Sequence, residues 1–488
     1  MVLLVAIGTV LHLRSLVREG TVVLSNGAQL RWTSCWFGTP SDRRANCAWF
    51  EPSLDREPTG TRLRVAVFHA RALSDAPVLL YATGGPGGSA WIDADTAPVW
   101  WAWLDALAVD RDLVLVDWRG TGGSEPALEC GEVYDAALRD LPRNLSASQE
   151  ARSYVDAIAA CRRRLLDLGH DLRALRTEVH ARDLGEIMDL LGVDRWDLYG
   201  VSYGTRTALE LARRSGRRVR SLVLDSSLPN EINAQTALFE SLRRAIDLIL
   251  ETCAQDAACD AAIPTPKQAL EKTWERLRAD PPTVPATLPG RGRVDVVVNP
   301  VRFTWALLDL TYNPAWLPES AALLRAIAAG DDALLAALIQ TSIDLLYDPT
   351  LSTPVSVSVR CADEGPISEA ERRAATQPAW WHEAAFVPKV FDVCAVSPGE
   401  GSVPEPPTTR LDVPTLVLSG ARDAVTLPEW STQLRPHLER NVWIRFPEAS
   451  HGVVDTDPCA ARTVGVFLEA PGARPTNACL ARVGAVVR

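Results

Sequence analysis

Lysine is almost missing from this chain: Lys267, Lys272 and Lys389 are the only three among 50 basic residues. The rest is arginine, scattered without a dense basic cluster, and the formal net charge is −11. That balance speaks against a polyanion-binding surface, so neither nucleic acid nor an anionic membrane is expected as a partner. No C-x-x-C pair occurs, and only His382 and His451 stand near cysteines, so no metal site is expected. Internal repeats and low-complexity tracts are also lacking, which excludes a solenoid or a disordered linker protein. The apolar run Met1–Leu11 is too short to span a bilayer. It has the length of a signal-peptide core but lacks basic residues before it and a small-x-small cleavage site after it. It is read as a signal or anchor, with a buried N-terminal segment as the alternative.

What is present fits a globular protein. The chain has 488 residues, of which 47% are apolar and 23% charged, enough for one large domain with an insertion or for two domains. Its ten cysteines fall as neighbours along the chain: Cys35 and Cys47, Cys130 and Cys161, Cys253 and Cys259, Cys361 and Cys394, Cys459 and Cys479. An even number of this size points to disulfides and an oxidising compartment, although sequence does not fix their connectivity; reduced, buried cysteines are the competing reading. An extracytoplasmic location follows, periplasmic or secreted, with a tether at the N-terminus left open.

Short apolar runs alternate with amphipathic stretches in the first half. Strands are expected at Thr21–Leu24, Leu30–Trp32, Arg62–Phe68, Pro77–Ala82, Leu113–Asp117, Val193–Tyr199 and Val219–Asp225. Helices are expected at Ala151–Leu168, His180–Leu191 and Thr205–Arg214. This rhythm indicates a parallel sheet covered on both faces. After Pro229 the pattern turns helical, at Asn233–Cys253, Lys267–Ala279, Val301–Leu310 and Ser320–Leu346, with Trp305, Trp316, Trp380 and Trp381 among the helices. A Pro/Gly/Ser/Glu-rich linker is read at Val396–Arg410, and strands resume at Thr415–Leu418 and Val442–Phe446. The reading is an α/β sheet interrupted by a helical cap, in four parts: an apolar segment 1–20, core 21–229, cap 230–405 and core 406–488.

Chemistry concentrates at Gly200-Val201-Ser202-Tyr203-Gly204, a serine between two glycines at an expected strand-to-helix turn. So sharp a turn strains the backbone, and glycines on either side remove side chains that would collide. A serine hydroxyl needs a base held in one tautomer by an acid. Of seven histidines, His451 follows the last expected strand in a loop, where its ring can swing over the sheet edge. The acid candidate is Asp423, after the preceding strand; the rival is Asp225, which ends the Val219–Asp225 strand and is otherwise a wall or turn residue. An oxyanion cradle is read in Thr83–Ser89, with the N–H groups of Gly85 and Tyr203 as donors, since Pro86 has none.

With these pieces in order, the chain resembles the α/β-hydrolase family of serine aminopeptidases, the prolyl and tripeptidyl aminopeptidases, and is most similar to their exported tripeptidyl branch. The resemblance rests on Arg31–Cys35 with Cys47, Gly84–Ser89, Asp117–Ser124, Cys130 with Cys161, Gly200–Thr205, Leu224-Asp225, Arg360–Asp363, Gly420–Thr426 and Ser450–Gly452. It implies an α/β-hydrolase fold with an inserted helical cap, the order Ser202, Asp423, His451, and no metal or organic cofactor. It also implies a serine exopeptidase acting on peptides with free N-termini, without an obligate partner; a carboxylesterase or other ester or amide hydrolase is the alternative. The cap is expected to supply a carboxylate for the substrate ammonium, with Asp363 and Glu364 as candidates. Two departures stand out. Leu427 intervenes before Pro428 in the acid loop, and Ser226-Ser227 replaces the usual glycine after Asp225.

Overall fold

The computed structural model describes residues 19–53, 60–70, 77–312, 316–368, 370–371, 389–397 and 410–487. The apolar segment Met1–Leu11, Trp380, Trp381, His382 and most of the Val396–Arg410 stretch lie outside the described residues.

Thirteen strands are described: β1 (Thr21–Val23), β2 (Gln29–Thr33), β3 (Ala45–Glu51), β4 (Leu63–Phe68), β5 (Val78–Ala82), β6 (Leu113–Val116), β7 (Trp196–Val201), β8 (Val219–Asp225), β9 (Thr283–Leu288), β10 (Gly292–Val297), β11 (Thr415–Gly420), β12 (Asn441–Phe446) and β13 (Val486–Val487). Eleven form one sheet in the order β1-β2-β3-β4-β6-β5-β7-β8-β11-β12-β13. From β6 to β12 the pairing is parallel throughout, while β1–β4 and β13 add antiparallel edges. Parallel strands need helical crossovers on both faces, which is why β5 and β6 read as continuous apolar runs and β7 and β8 are buried almost throughout.

Alternate residues of these strands feed two cores. Leu80, Leu198, Leu222 and Leu224 face the helices Thr177–Leu190 and Gly204–Ser215. Leu79, Tyr81, Tyr199 and Val223 face the helices Pro98–Leu107 and Pro458–Glu469. On that second face Tyr81 stacks on Tyr199 at 5.1 Å between centroids, with Trp103 edge-on to Tyr199 at 5.2 Å. The aromatic packing fixes the Tyr199 ring, whose hydroxyl reaches the end of β8.

Between β8 and β11 lies a third core, built by the helices Ala234–Gln255, Pro266–Ala279, Pro300–Leu310, Trp316–Ala328 and Asp332–Leu346 with the β9–β10 hairpin. The expected single helix Ser320–Leu346 is two helices. Gly330 adopts φ +87° and the Asp331 carboxylate caps the second helix at the Ala333 and Leu334 amides. The hairpin is an addition to the helical insertion expected from sequence.

The ten cysteines form five disulfides, each joining the neighbours along the chain: Cys35–Cys47, Cys130–Cys161, Cys253–Cys259, Cys361–Cys394 and Cys459–Cys479. Cys361–Cys394 fastens the helix Thr353–Glu364 to the helix Lys389–Val396. Replacing both of these cysteines by alanine should cost about 2–4 kcal/mol of stability in a urea titration; an unchanged midpoint would show that the cross-link contributes nothing.

Candidate active site

The residues singled out from sequence gather at the C-terminal ends of the parallel strands. Ser202 sits directly after β7 with φ +55°, a left-handed backbone that a serine adopts only under constraint. The constraint is steric and close. A Cβ on Gly204 would fall 2.0 Å from the Ala82 carbonyl oxygen, and one on Gly200 would lie 2.6 Å from that of Gly204. The turn therefore needs both glycines. The Ser202 amide donates to the Asp225 carbonyl at 3.0 Å, which leaves the next amide, that of Tyr203, outside the sheet. Gly85 and Pro86 line the same pocket as Ser202 and Tyr203. A Cβ on Gly84 would press on the Ser202 Cβ at 3.2 Å, so the glycine loop lies against the serine.

His451 and Asp423 are brought together. Nδ1 of His451 lies 3.1 Å and 3.2 Å from the two Asp423 oxygens. Asp423 is fully buried and also accepts from the Val425 and Thr426 amides at 2.8 Å and from the Thr426 hydroxyl at 2.8 Å. Burial alone would raise the Asp423 carboxyl, but the imidazolium and these donors hold it below its ordinary value. Burial would likewise lower His451, and the Asp423 carboxylate overrides it, so the imidazole lies above its ordinary value. Asp423 accepts at Nδ1, which sets the tautomer with Nε2 as the available base. The hydrogen bonds described for the His451 ring are all made at Nδ1, to Asp423 and the Thr426 hydroxyl, and none joins it to the Ser202 hydroxyl.

Asp225, the rival acid, does a different job. Its carboxylate accepts from the Tyr199 hydroxyl at 2.6 Å and from the Val453 and Val454 amides at 2.8 and 2.9 Å. It thus pins the turn that follows His451, while its own carbonyl holds the Ser202 amide. Ser226 completes the corner. At φ +51° it occupies a conformation suited to glycine, and its hydroxyl accepts from the Gly452 amide at 3.0 Å. This gives the departure at position 226 a physical use. Leu427, the other departure, packs with Leu228 and Trp430, two residues of the pocket wall. Sequence reasoning names Asp225 and Ser226 without finding these roles; the signal available was the missing glycine.

Asp363 and Glu364 both line the pocket, from the C-terminal turn of the helix Thr353–Glu364. They differ in what holds them. Asp363 accepts from the Thr177 hydroxyl and from the Thr177 amide at 3.3 Å, and the same hydroxyl lies 2.8 Å from that of Tyr203. Burial pushes the Asp363 carboxyl up. Glu364 Oε1 accepts from Arg206 at 2.7 Å and from the Ala234 amide at 3.0 Å. The side chain is only 4% exposed, and its Oε2 is buried without a hydrogen-bond partner. Arg206, Arg360 and Tyr312 also line this pocket; the Tyr312 ring stands edge-on to His451 at 5.7 Å. Neither arginine is singled out by the sequence as a pocket residue: nothing in the pattern separates Arg206 from the many others, and Arg360 enters only as the first residue of the Arg360–Asp363 stretch.

Residues 77–458 match the family described as alpha/beta hydrolase fold. The chain belongs to that family and is a serine hydrolase of that fold. Over 486 residues it is 24% identical to "Serine protease Hip1" of Mycobacterium tuberculosis (strain H37Rv), covering 93% of this chain and 91% of that protein. Among solved structures it is similar to a proline iminopeptidase-related protein from Thermus thermophilus, at 18% identity and TM-score 0.36, covering 88% of this chain and 100% of that one. It is also similar to an esterase from Rhodococcus sp. ECU1013, at 15% identity and TM-score 0.35, covering 85% and 97%.

In a histidine NMR titration, His451 should protonate with a midpoint above 6.5, the ordinary value for an imidazole. Asp423→Asn should move that midpoint down, and Asp225→Asn should move it down by less, because Asp423 is the largest of the raising causes, ahead of Asp225 and Asp455. A midpoint indifferent to Asp423→Asn would contradict the pairing.

Proposed function

We propose that this chain is a serine exopeptidase that hydrolyses peptide bonds near the free N-terminus of peptides, in the manner of tripeptidyl or prolyl aminopeptidases. One observation carries the reading: the buried, unpartnered Oε2 of Glu364 in the pocket that holds Ser202. A buried carboxylate oxygen without a donor is costly, and a substrate ammonium would supply the missing donor. The mycobacterial relative's designation as a serine protease supports peptide-bond chemistry. The five disulfides support an extracytoplasmic site of action.

In the proposed mechanism Ser202 Oγ attacks the scissile carbonyl while His451 Nε2 takes its proton. Asp423 holds the imidazole and stabilises its cationic form. The Gly85 and Tyr203 amides stabilise the tetrahedral oxyanion. His451 then protonates the departing amine as the carbon–nitrogen bond breaks, and water releases the acyl group by the same steps. Glu364 fixes the register by holding the ammonium, and Asp363 adds a second carboxyl at the same end of the pocket.

Ser202→Ala should lower kcat on free-amino chromogenic peptides by about 10⁴-fold or more. Glu364→Gln should raise KM for those peptides about 10- to 100-fold and leave simple esters unchanged. Turnover of N-blocked peptides or esters alone would sink the exopeptidase reading. The pH profile has a definite sign. Only neutral His451 can act as base and its pKa is raised, so kcat/KM should climb with pH through a midpoint above 6.5. An acid limb centred well below that value would exclude His451 as the base.

A further inference from the structure

The helix Thr353–Glu364 carries Arg360, Asp363 and Glu364 at i, i+3 and i+4, hence on one face, and all three line the pocket beside Ser202. Their charges are not mutually satisfied. Arg206 is paired to Glu364 at 2.7 Å and donates further to the Pro229 and Ile232 carbonyls. Asp363 is held by Thr177. Arg360 is left over: no described carboxylate or carbonyl accepts from its half-buried guanidinium, and its Nε is buried without a partner. The pocket therefore offers two unmet demands, an acceptor at Glu364 Oε2 and a donor group at Arg360. A ligand that answers both is a zwitterion.

The helix also orders the two demands. Its N-terminal end abuts the glycine loop, with the Ser352 amide donating to the Gly87 carbonyl at 2.9 Å and a Gly87 Cβ falling 3.0 Å from the Ser356 amide. Arg360 follows about one turn later and Glu364 about one turn beyond that, each step about 6 Å. A substrate with its ammonium at Glu364 and its scissile carbonyl at the glycine loop passes Arg360 between them. Resting on the N-terminal reading above, we propose that Arg360 is an anion subsite, and that the preferred substrates carry an acidic side chain on the acyl side of the scissile bond.

The test uses full-length protein, Arg360→Gln and Arg360→Lys. Free-amino chromogenic peptides would be compared in pairs that differ only as Glu against Gln, or Asp against Asn, before the chromophore. The wild type should favour the acidic member by about 10-fold or more in kcat/KM, mainly through KM. Arg360→Gln should bring the ratio near one, with a circular dichroism spectrum and thermal midpoint matching the wild type reporting that it is folded; Arg360→Lys should retain part of the preference. A ratio near one in the wild type, or one unmoved by Arg360→Gln, overturns the proposal. So does a preference that follows the C-terminal carboxylate of unlabelled peptides, acid against amide, instead of the acyl side chain. A pair of 4-nitrophenyl glutarate esters, free acid against methyl ester, carries no ammonium and reads Arg360 independently. Discrimination there with no peptide turnover would sink the exopeptidase reading and keep the anion subsite; peptide turnover without discrimination in either series would do the reverse.

Discussion

The buried carboxylate of Asp225 is the joint on which this site depends. It ends β8, the strand shared by the two halves of the parallel sheet, and it gathers donors from three directions. The Tyr199 hydroxyl comes from β7, the Val453 and Val454 amides come from the turn after His451, and its main chain receives the Ser202 amide. A charge in such a place is tolerable because its oxygens are occupied by donors. Burial still pushes its pKa up, so the donors only partly offset desolvation. Through that balance the serine turn and the histidine loop share one anchor, and the negative charge behind His451 adds to the pull of Asp423.

The pocket opposite is built by the segment inserted between β8 and β11, and it follows another logic. The sheet side is rigid because strained turns, close glycine contacts and the aromatic packing under Tyr199 permit one arrangement. The cap side includes one face of the helix Thr353–Glu364, on which charge is uneven, and the Cys361–Cys394 bond secures that helix. Its Asp363–Thr177–Tyr203 chain of hydrogen bonds runs to the residue after Ser202, so the helix Thr353–Glu364 and the serine turn are joined through buried polar groups. Such connected networks hold geometry tightly when every member is satisfied.

Much of this was legible from sequence, for identifiable reasons. Buried parallel strands advertise themselves as apolar runs, and β8 begins and ends where its pattern does. The serine turn needs glycine on both sides, and Asp423 and His451 stand just after strands. β3 was missed because Ala45–Glu51 mixes polar and apolar residues; its strand character comes from pairing with β2 and β4. The β9–β10 hairpin was missed because Pro285 argues against a strand, yet a two-stranded ribbon leaves each strand an unpaired edge where proline is tolerated. Glu364 was legible only as one of two candidate carboxylates, and the contacts of Asp225, Ser226 and Arg360 were not legible at all. They depend on which buried atoms find partners, which no local pattern encodes.

The order of β8 and β11 has a consequence in time. These strands pair directly, although the whole cap separates them along the chain. Closing so long a loop is slow compared with forming the local units on either side. A chain emerging from its N-terminus presents the serine turn and the glycine loop well before Asp423 and His451 exist. The step that completes the sheet is therefore also the one that brings Asp423 and His451 to the serine turn, and the site is assembled last.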